Sequence, residues 1–241
     1  MEKGAGGKVN HFSEQTGKFY QLLPTRSVPA LRINAVPMHR FAKVDPAEHT
    51  RRIIAAANPT GKVLDICTGL GYTAISAAKK NAVKEVVTVE KDPEVLALAR
   101  ANSASAQLFT NQKIKIIEGD AVEKITEFAD AQFDTIIHDP PTFVMAEDLY
   151  TRNFCAQLYR VLKKGGTLWF YAAEPGKAGN SEKAKGLGER ILKYLQHTGF
   201  KEIKRDENST GIICRKCSED IEEFKRLVRG HEKLLRAIGE L

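Results

Sequence analysis

From Lys62 onward, short apolar runs alternate with polar-faced segments of roughly ten to twenty residues. That alternation constrains the fold more than any other feature of the chain. The runs at 63–67, 85–90, 114–117, 133–137 and 166–171 are rich in Val, Ile, Leu and Phe and read as buried strands. The segments between them suit crossover helices, one of which is expected to end at 162–165. Parallel neighbours need such crossovers, so the pattern predicts an α/β fold with a parallel sheet covered on both faces. After a helix near 189–197, the runs at 200–204 and 211–215 are too close for a crossover, which predicts an antiparallel hairpin.

Upstream, Asp45-Pro46-Ala47-Glu48 places an N-cap, a proline at the first helical position and Glu at N3. A helix is predicted from there to about Ala57, broken by Asn58-Pro59-Thr60-Gly61. Partial alternation over 30–44 predicts a short hairpin, and the first twenty residues, bearing Gly and Lys, are expected to be mobile. A final helix over 219–238 presents Ile221, Phe224, Val228, Leu235 and Ile238 on one stripe, for packing on the domain or for an oligomer seam. The chain thus divides into a basic N-terminal extension (1–44), an α/β domain (45–216) and a C-terminal amphipathic helix (217–241).

A length of 241 residues suits one such domain with short additions, and 42% hydrophobic with 28% charged residues is a globular balance. No run approaches the roughly 18 apolar residues of a membrane span, and the N-terminus lacks the apolar core of a signal peptide. Four scattered cysteines argue against a disulfide scaffold, so a cytoplasmic setting is expected. Of the net charge of +7, residues 1–62 carry +6, from ten Lys/Arg and four Asp/Glu. Such an extension either attracts a polyanion such as RNA or is a solvated basic surface.

The chemistry is concentrated after the first predicted strand. Gly69 and Gly71 follow a buried run and open a helix, so the backbone can turn sharply and approach a ligand. Gly69-x-Gly71-x-x-Ala74, with Glu90 closing the next strand, satisfies the dinucleotide fingerprint and keeps an NAD-linked oxidoreductase in view. Asp65 lies inside the strand, where a carboxylate would repel a diphosphate but suit an ammonium group, or bond the loop amides structurally. Glu90 can accept from both hydroxyls of a ribose, and Asp120, at the end of the third strand, from an adenine amine. Three acids at three successive strand ends fit the crevice rule for open α/β sheets.

Asp65-x-x-x-Gly69-x-Gly71, Glu90, Asp120 and Asp139-Pro140-Pro141 resemble motifs I to IV of the class I S-adenosylmethionine-dependent methyltransferases. More narrowly, Met38-His39-Arg40, the stretch from Leu64 to Ala74 and His138-Asp139-Pro140-Pro141 resemble a predicted methyltransferase family best known from archaea. The resemblance covers roughly 45–216 and implies a Rossmann-like, seven-stranded, mostly parallel sheet with an antiparallel terminal strand. It implies S-adenosylmethionine as cofactor, held by Asp65, Thr68, Gly69, Gly71, Tyr72, Glu90, Lys91, Asp120, Ala121 and Asp139. No metal is expected. An aminopropyltransferase shares this fold and stays open, as does a non-catalytic RNA-binding module.

Asp139-Pro140-Pro141-Thr142-Phe143 bears on the methyl acceptor. The two prolines stiffen the loop, so acceptors there can hold an amine and align its lone pair. In methyltransferases acting on planar nitrogens an aromatic follows the prolines; here Thr142 takes that slot and Phe143 comes one residue later, as in some ribosomal RNA methyltransferases. Asp139, Pro140, Pro141, His138 and Phe143 are therefore the candidate catalytic residues, with transfer to a nitrogen of RNA, protein or a small amine expected. His138 and His39 each read as a general base or substrate contact, or as a buried, hydrogen-bonded histidine. Arg40 is placed toward a carboxylate or a phosphate. For RNA, Arg26, Arg32, Arg40, Lys43, Arg51 and Arg52 are candidate phosphate contacts, with Phe41 or Phe143 to stack on a base. Cys214-x-x-Cys217 is half a zinc site with no second pair and reads as structural.

Overall fold

A computed structural model describes residues 2–3, 9–172 and 186–217 of the chain. The N-terminal segment forms a five-stranded antiparallel sheet in sequence order: β1 (Glu2–Lys3), β2 (Val9–Ser13), β3 (Lys18–Leu23), β4 (Ala30–Ile33) and β5 (Val36–Pro37). The predicted hairpin is β4–β5, tighter than expected, with Asn34 and Ala35 at positive φ in its two-residue turn. The expectation of mobility over the first twenty residues is corrected from residue 9 on, where β2 and β3 lie. There Val9, Tyr20 and Leu22 bury one face of β2 and β3, and the register sets Phe12 opposite Phe19 on the other.

Helix α1 (Pro46–Ala57) begins where the capping signal put it, with the Asp45 carboxylate accepting from Ala47 N at 3.0 Å, and ends at Asn58 in the left-handed region. Seven strands then build the main sheet: β6 (Gly61–Ile66), β7 (Val83–Glu90), β8 (Ile114–Glu118), β9 (Phe133–His138), β10 (Leu162–Tyr171), β11 (Lys201–Asp206) and β12 (Gly211–Arg215). Their order is β11-β12-β10-β9-β6-β7-β8, and β12 alone runs opposite to the other six. The fold is Rossmann-like α/β, and the predicted terminal hairpin is β11–β12.

Strand residues alternate between two apolar layers. Val63, Val86, Ile137 and Trp169 face α1, α2 (Tyr72–Ala78) and α3 (Pro93–Ala101), and this layer also holds Tyr20, Leu22, Leu31 and Ile33 of the N-terminal sheet. Leu64, Val87, Ile136 and Phe170 face α5 (Ala121–Glu127), α6 (Arg152–Val161) and α7 (Leu187–Thr198). The short α4 (Ala106–Thr110) follows α3. Helix α6 ends at Val161, a few residues before the expected stop, because the chain passes directly into β10.

Cations from elsewhere in the chain close three helix C-termini, where unpaired carbonyls concentrate negative charge. Lys113 Nζ donates to carbonyls of Ala78, Lys80 and Val83 after α2, at 3.3, 3.5 and 2.8 Å. Arg160 reaches Ile125 O and Phe128 O at the end of α5, at 2.8 and 2.7 Å. Lys216 donates to Tyr159 O and Leu162 O at the end of α6, both at 2.8 Å.

The predicted C-terminal helix lies outside the described residues. Among the described residues no helix is long and apolar enough to cross a membrane, and no cluster of three or more His, Cys, Asp or Glu could hold a metal. Cys214 is buried within β12, while Cys217 lies beyond the strand beside Glu202.

Candidate active site

A cavity of about 350 Å³ opens at the C-terminal ends of β6, β7, β8 and β9. Its floor is the glycine turn after β6. Cys67, at φ +71, and Thr68 both donate their N–H to Val89 O, and Gly71 N closes the turn on Thr68 O at 2.8 Å. Gly71 then starts α2 at φ +77, and a Cβ there would lie 2.7 Å from the Leu108 side chain. Only glycine meets both conditions.

Glu90 ends β7 and lines the cavity. Its carboxylate accepts from Gly69 N at 2.8 Å and from Asp92 N at 3.0 Å, so one side chain fixes the turn on one strand and the start of α3 after another. Burial pushes its pKa up against these bonds. Each oxygen keeps further acceptor capacity.

Asp65 sits beneath the turn and does not line the cavity; it is fully buried within β6. Oδ2 accepts from Thr88 Oγ1 at 2.7 Å, and Thr88 pairs in turn with Thr68 Oγ1 at 2.7 Å. Among the described residues Oδ1 has no partner, an orphaned buried acceptor of a kind proteins seldom leave without a reason. Burial raises the Asp65 pKa to about 6.

Asp139 follows β9, its N–H donating to Ile66 O at 3.3 Å. Its carboxylate lines the cavity and makes no hydrogen bond with the described residues. Burial first, then the charge of Asp65 on the adjacent strand, raises its pKa to about 7. Pro140 and Pro141 also line the cavity, and the Tyr150 hydroxyl donates to Pro141 O at 2.7 Å.

Two candidate catalytic residues need correction. His138 points away from the cavity into the second apolar layer. Its ring lies 4.3 Å from that of Phe170 and near Tyr150 and Phe154, with Nε2 on Leu149 O at 3.0 Å. Burial holds its pKa down to about 3, so it is a neutral core histidine. Phe143 turns toward Tyr150 and the Arg190 guanidinium, 5.1 Å from its ring, and Thr142 lines the cavity in its place.

Of the expected cofactor residues, Thr68, Gly69, Tyr72, Glu90, Lys91, Asp120 and Ala121 line the cavity; Asp65 and Gly71 support it from behind. Asp120 lies beyond the end of β8 as the N-cap of α5, accepting from Val122 N at 2.9 Å, with Lys91 3.5 Å from its other oxygen.

Of the wall opposite the sheet, sequence reasoning singled out Met38, His39 and Arg40 and missed the rest. Lys18, Leu31, Ile33 and Met38 of the N-terminal segment line it, together with His39, Arg40, and His49 and Ile53 of α1. The wall is tied to the domain through Asp92, the N-cap of α3, whose carboxylate accepts from Tyr20 at 2.8 Å and from Lys18 at 3.3 Å. His11 meets Glu94 at 2.7 Å nearby. The alternation in 18–23 was the available signal.

Residues 42–185 match the methyltransferase small domain. An uncharacterised protein of Methanocaldococcus jannaschii is 42% identical over 212 residues, which are 87% of this chain and 71% of that one. Among solved structures, spermidine synthase from Thermotoga maritima has a similar fold, with a TM-score of 0.65 at 17% identity, over 89% of this chain and 74% of that one. A putative S-adenosyl-L-methionine-dependent methyltransferase from Methanococcus maripaludis superposes with a TM-score of 0.52 at 22% identity, over 73% and 88%. With its matched segment spanning the glycine turn, Glu90 and the Asp139 loop, the chain belongs to the methyltransferase small domain family.

Proposed function

We propose that this protein is an S-adenosylmethionine-dependent methyltransferase acting on a nitrogen acceptor. The observation that carries the reading is the Asp139 carboxylate, facing the cavity without a hydrogen-bond partner among the described residues, on a loop stiffened by two prolines. The residues around the cavity fit the cofactor. Glu90 keeps acceptor capacity for ribose hydroxyls, Gly69 and Gly71 let a ligand approach the backbone, and the orphaned Asp65 oxygen lies beneath the turn.

When bound, the cofactor supplies an electrophilic methyl group. Asp139 accepts a hydrogen bond from the acceptor amine and so aims the nitrogen lone pair. As the new bond draws electron density from that nitrogen, the carboxylate stabilises the growing positive charge and takes up the released proton or passes it to water. The prolines and the Tyr150 bond keep this group from drifting.

Calorimetry with S-adenosylhomocysteine tests the cofactor reading. Binding is expected, NAD should give no heat, and Glu90→Ala should abolish most of the binding; heat from NAD alone would overturn the assignment. Asp139→Asn should leave that affinity within about threefold while lowering label transfer from methyl-labelled S-adenosylmethionine by about 10²-fold.

A second reading, aminopropyl transfer, is favoured by one observation: the fold likeness to spermidine synthase extends over 89% of this chain. Decarboxylated S-adenosylmethionine binding more tightly than S-adenosylmethionine would select it.

A further inference from the structure

We infer that the acceptor is a small amine bound between the N-terminal segment and the Asp139 loop, with His39 and His49 as its polar contacts. This deepens the methyl-transfer reading and rests on it.

The first observation is the N-terminal wall. Leu31, Ile33 and Met38 wall the cavity on the side facing the glycine turn, and Lys18 and Tyr20 anchor that wall to Asp92. A volume of about 350 Å³ is near the lower end for small-molecule sites.

The second is the hydrogen-bonding character of the two histidines, which both line the cavity. Leu31 N donates to His39 Nδ1 at 3.1 Å, so the ring proton sits on Nε2. His49 lies 3.1 Å from Ser209 O through Nε2, and a carbonyl only accepts, so the lone pair sits on Nδ1. His39 Nε2 and His49 Nδ1 have no partner among the described residues. One donor and one acceptor thus stand on the wall, with the Asp139 carboxylate available to an amine.

The third is charge. Each cation lining the cavity already holds a partner: Lys18 holds Asp92, Lys91 holds Asp120, and Arg40 holds Thr210. Outside it, Arg51 and Arg52 both pair with Glu48, at 2.6 and 2.9 Å. A phosphodiester would have to displace these contacts. An amine meets a ready carboxylate.

The test supplies the full chain with methyl-labelled S-adenosylmethionine and three fractions from cells of the source organism: total RNA, total protein and a filtrate below about one kilodalton. Label is expected in the filtrate, and should fall at least tenfold in the His39→Phe/His49→Phe variant with S-adenosylhomocysteine affinity unchanged. Because that variant could unfold, a second measurement uses the wild-type chain without cofactor. The filtrate should shift the histidine Cε1–H NMR signals of His39 and His49, and total RNA should leave them in place. Label in RNA or protein, or unmoved histidine signals, overturns the small-amine inference and leaves methyl transfer standing. If S-adenosylhomocysteine binds but no fraction takes up label, methyl transfer itself fails, and the inference with it.

Discussion

Tyr150 donates its hydroxyl to the Pro141 carbonyl at 2.7 Å, and this bond ties the aromatic layer under β9 to the loop that bears Asp139. Tyr150 is 2% exposed and packs on Phe143, His138 and Phe170. Tyr150→Phe keeps that packing and removes one hydrogen bond. It should cost about 1 kcal/mol of stability in urea unfolding and lower turnover several-fold with cofactor affinity unchanged. Equal losses in affinity and turnover would show that the loop does not serve the acceptor.

The raised pKa of Asp139 fixes the sign of a pH effect. An acid whose native pKa lies above its unfolded value of 3.8 favours the protonated native state, so stability falls as pH rises toward about 7. Asp139→Asn should match the wild type in stability near pH 4 and exceed it above pH 7. Wild-type turnover should rise through the same upper range as the carboxylate ionises. A stability gap that narrows with pH would contradict this.

Thr88→Val is nearly isosteric and strips Asp65 of the 2.7 Å hydrogen bond to Oδ2, the other oxygen having no partner among the described residues. The ionised form then becomes costlier in the folded state. The loss of stability should therefore be larger at pH 8 than at pH 5, measured by thermal unfolding.

Much of this was readable in the residues. The strand runs from 63 to 215, the Asp45-Pro46 cap and Glu90 at a strand end are local patterns, and local patterns survive tertiary context. The five-stranded sheet was not, because β2 and β3 interrupt their apolar residues with Asn10, His11 and Gln21 and gain part of their burial from α3, far along the chain. His138 takes the second of its two expected readings, a buried, hydrogen-bonded histidine, because adjacency to Asp139 says nothing of direction and successive residues near a strand end face opposite ways. Phe143 was drawn toward the site by its motif, and Tyr150 and Arg190 hold it elsewhere.

Gly71→Ala tests the turn. The left-handed φ and the 2.7 Å approach to Leu108 both oppose a methyl group. A loss of about 1–3 kcal/mol is expected, with weaker S-adenosylhomocysteine binding in calorimetry. Unchanged values in both would remove the turn from the site.

Lys113→Met should separate stability from function. Its ammonium satisfies three carbonyls beyond α2, and their loss should cost about 1–3 kcal/mol in denaturant unfolding. Cofactor affinity should stay as in the wild type.

The latch at Asp92 has a consequence for how the chain acquires its fold during synthesis. Tyr20 bonds a residue 72 positions later, and His11 one 83 positions later. The N-terminal strands leave the ribosome first, yet β3 packs on α3 and Tyr20 bonds its N-cap. Until α3 has been made that part of the sheet lacks its cover, and loop closure over the span is a slow, non-local event. A nascent chain stopped before α3 therefore carries the N-terminal strands without their anchor at Asp92.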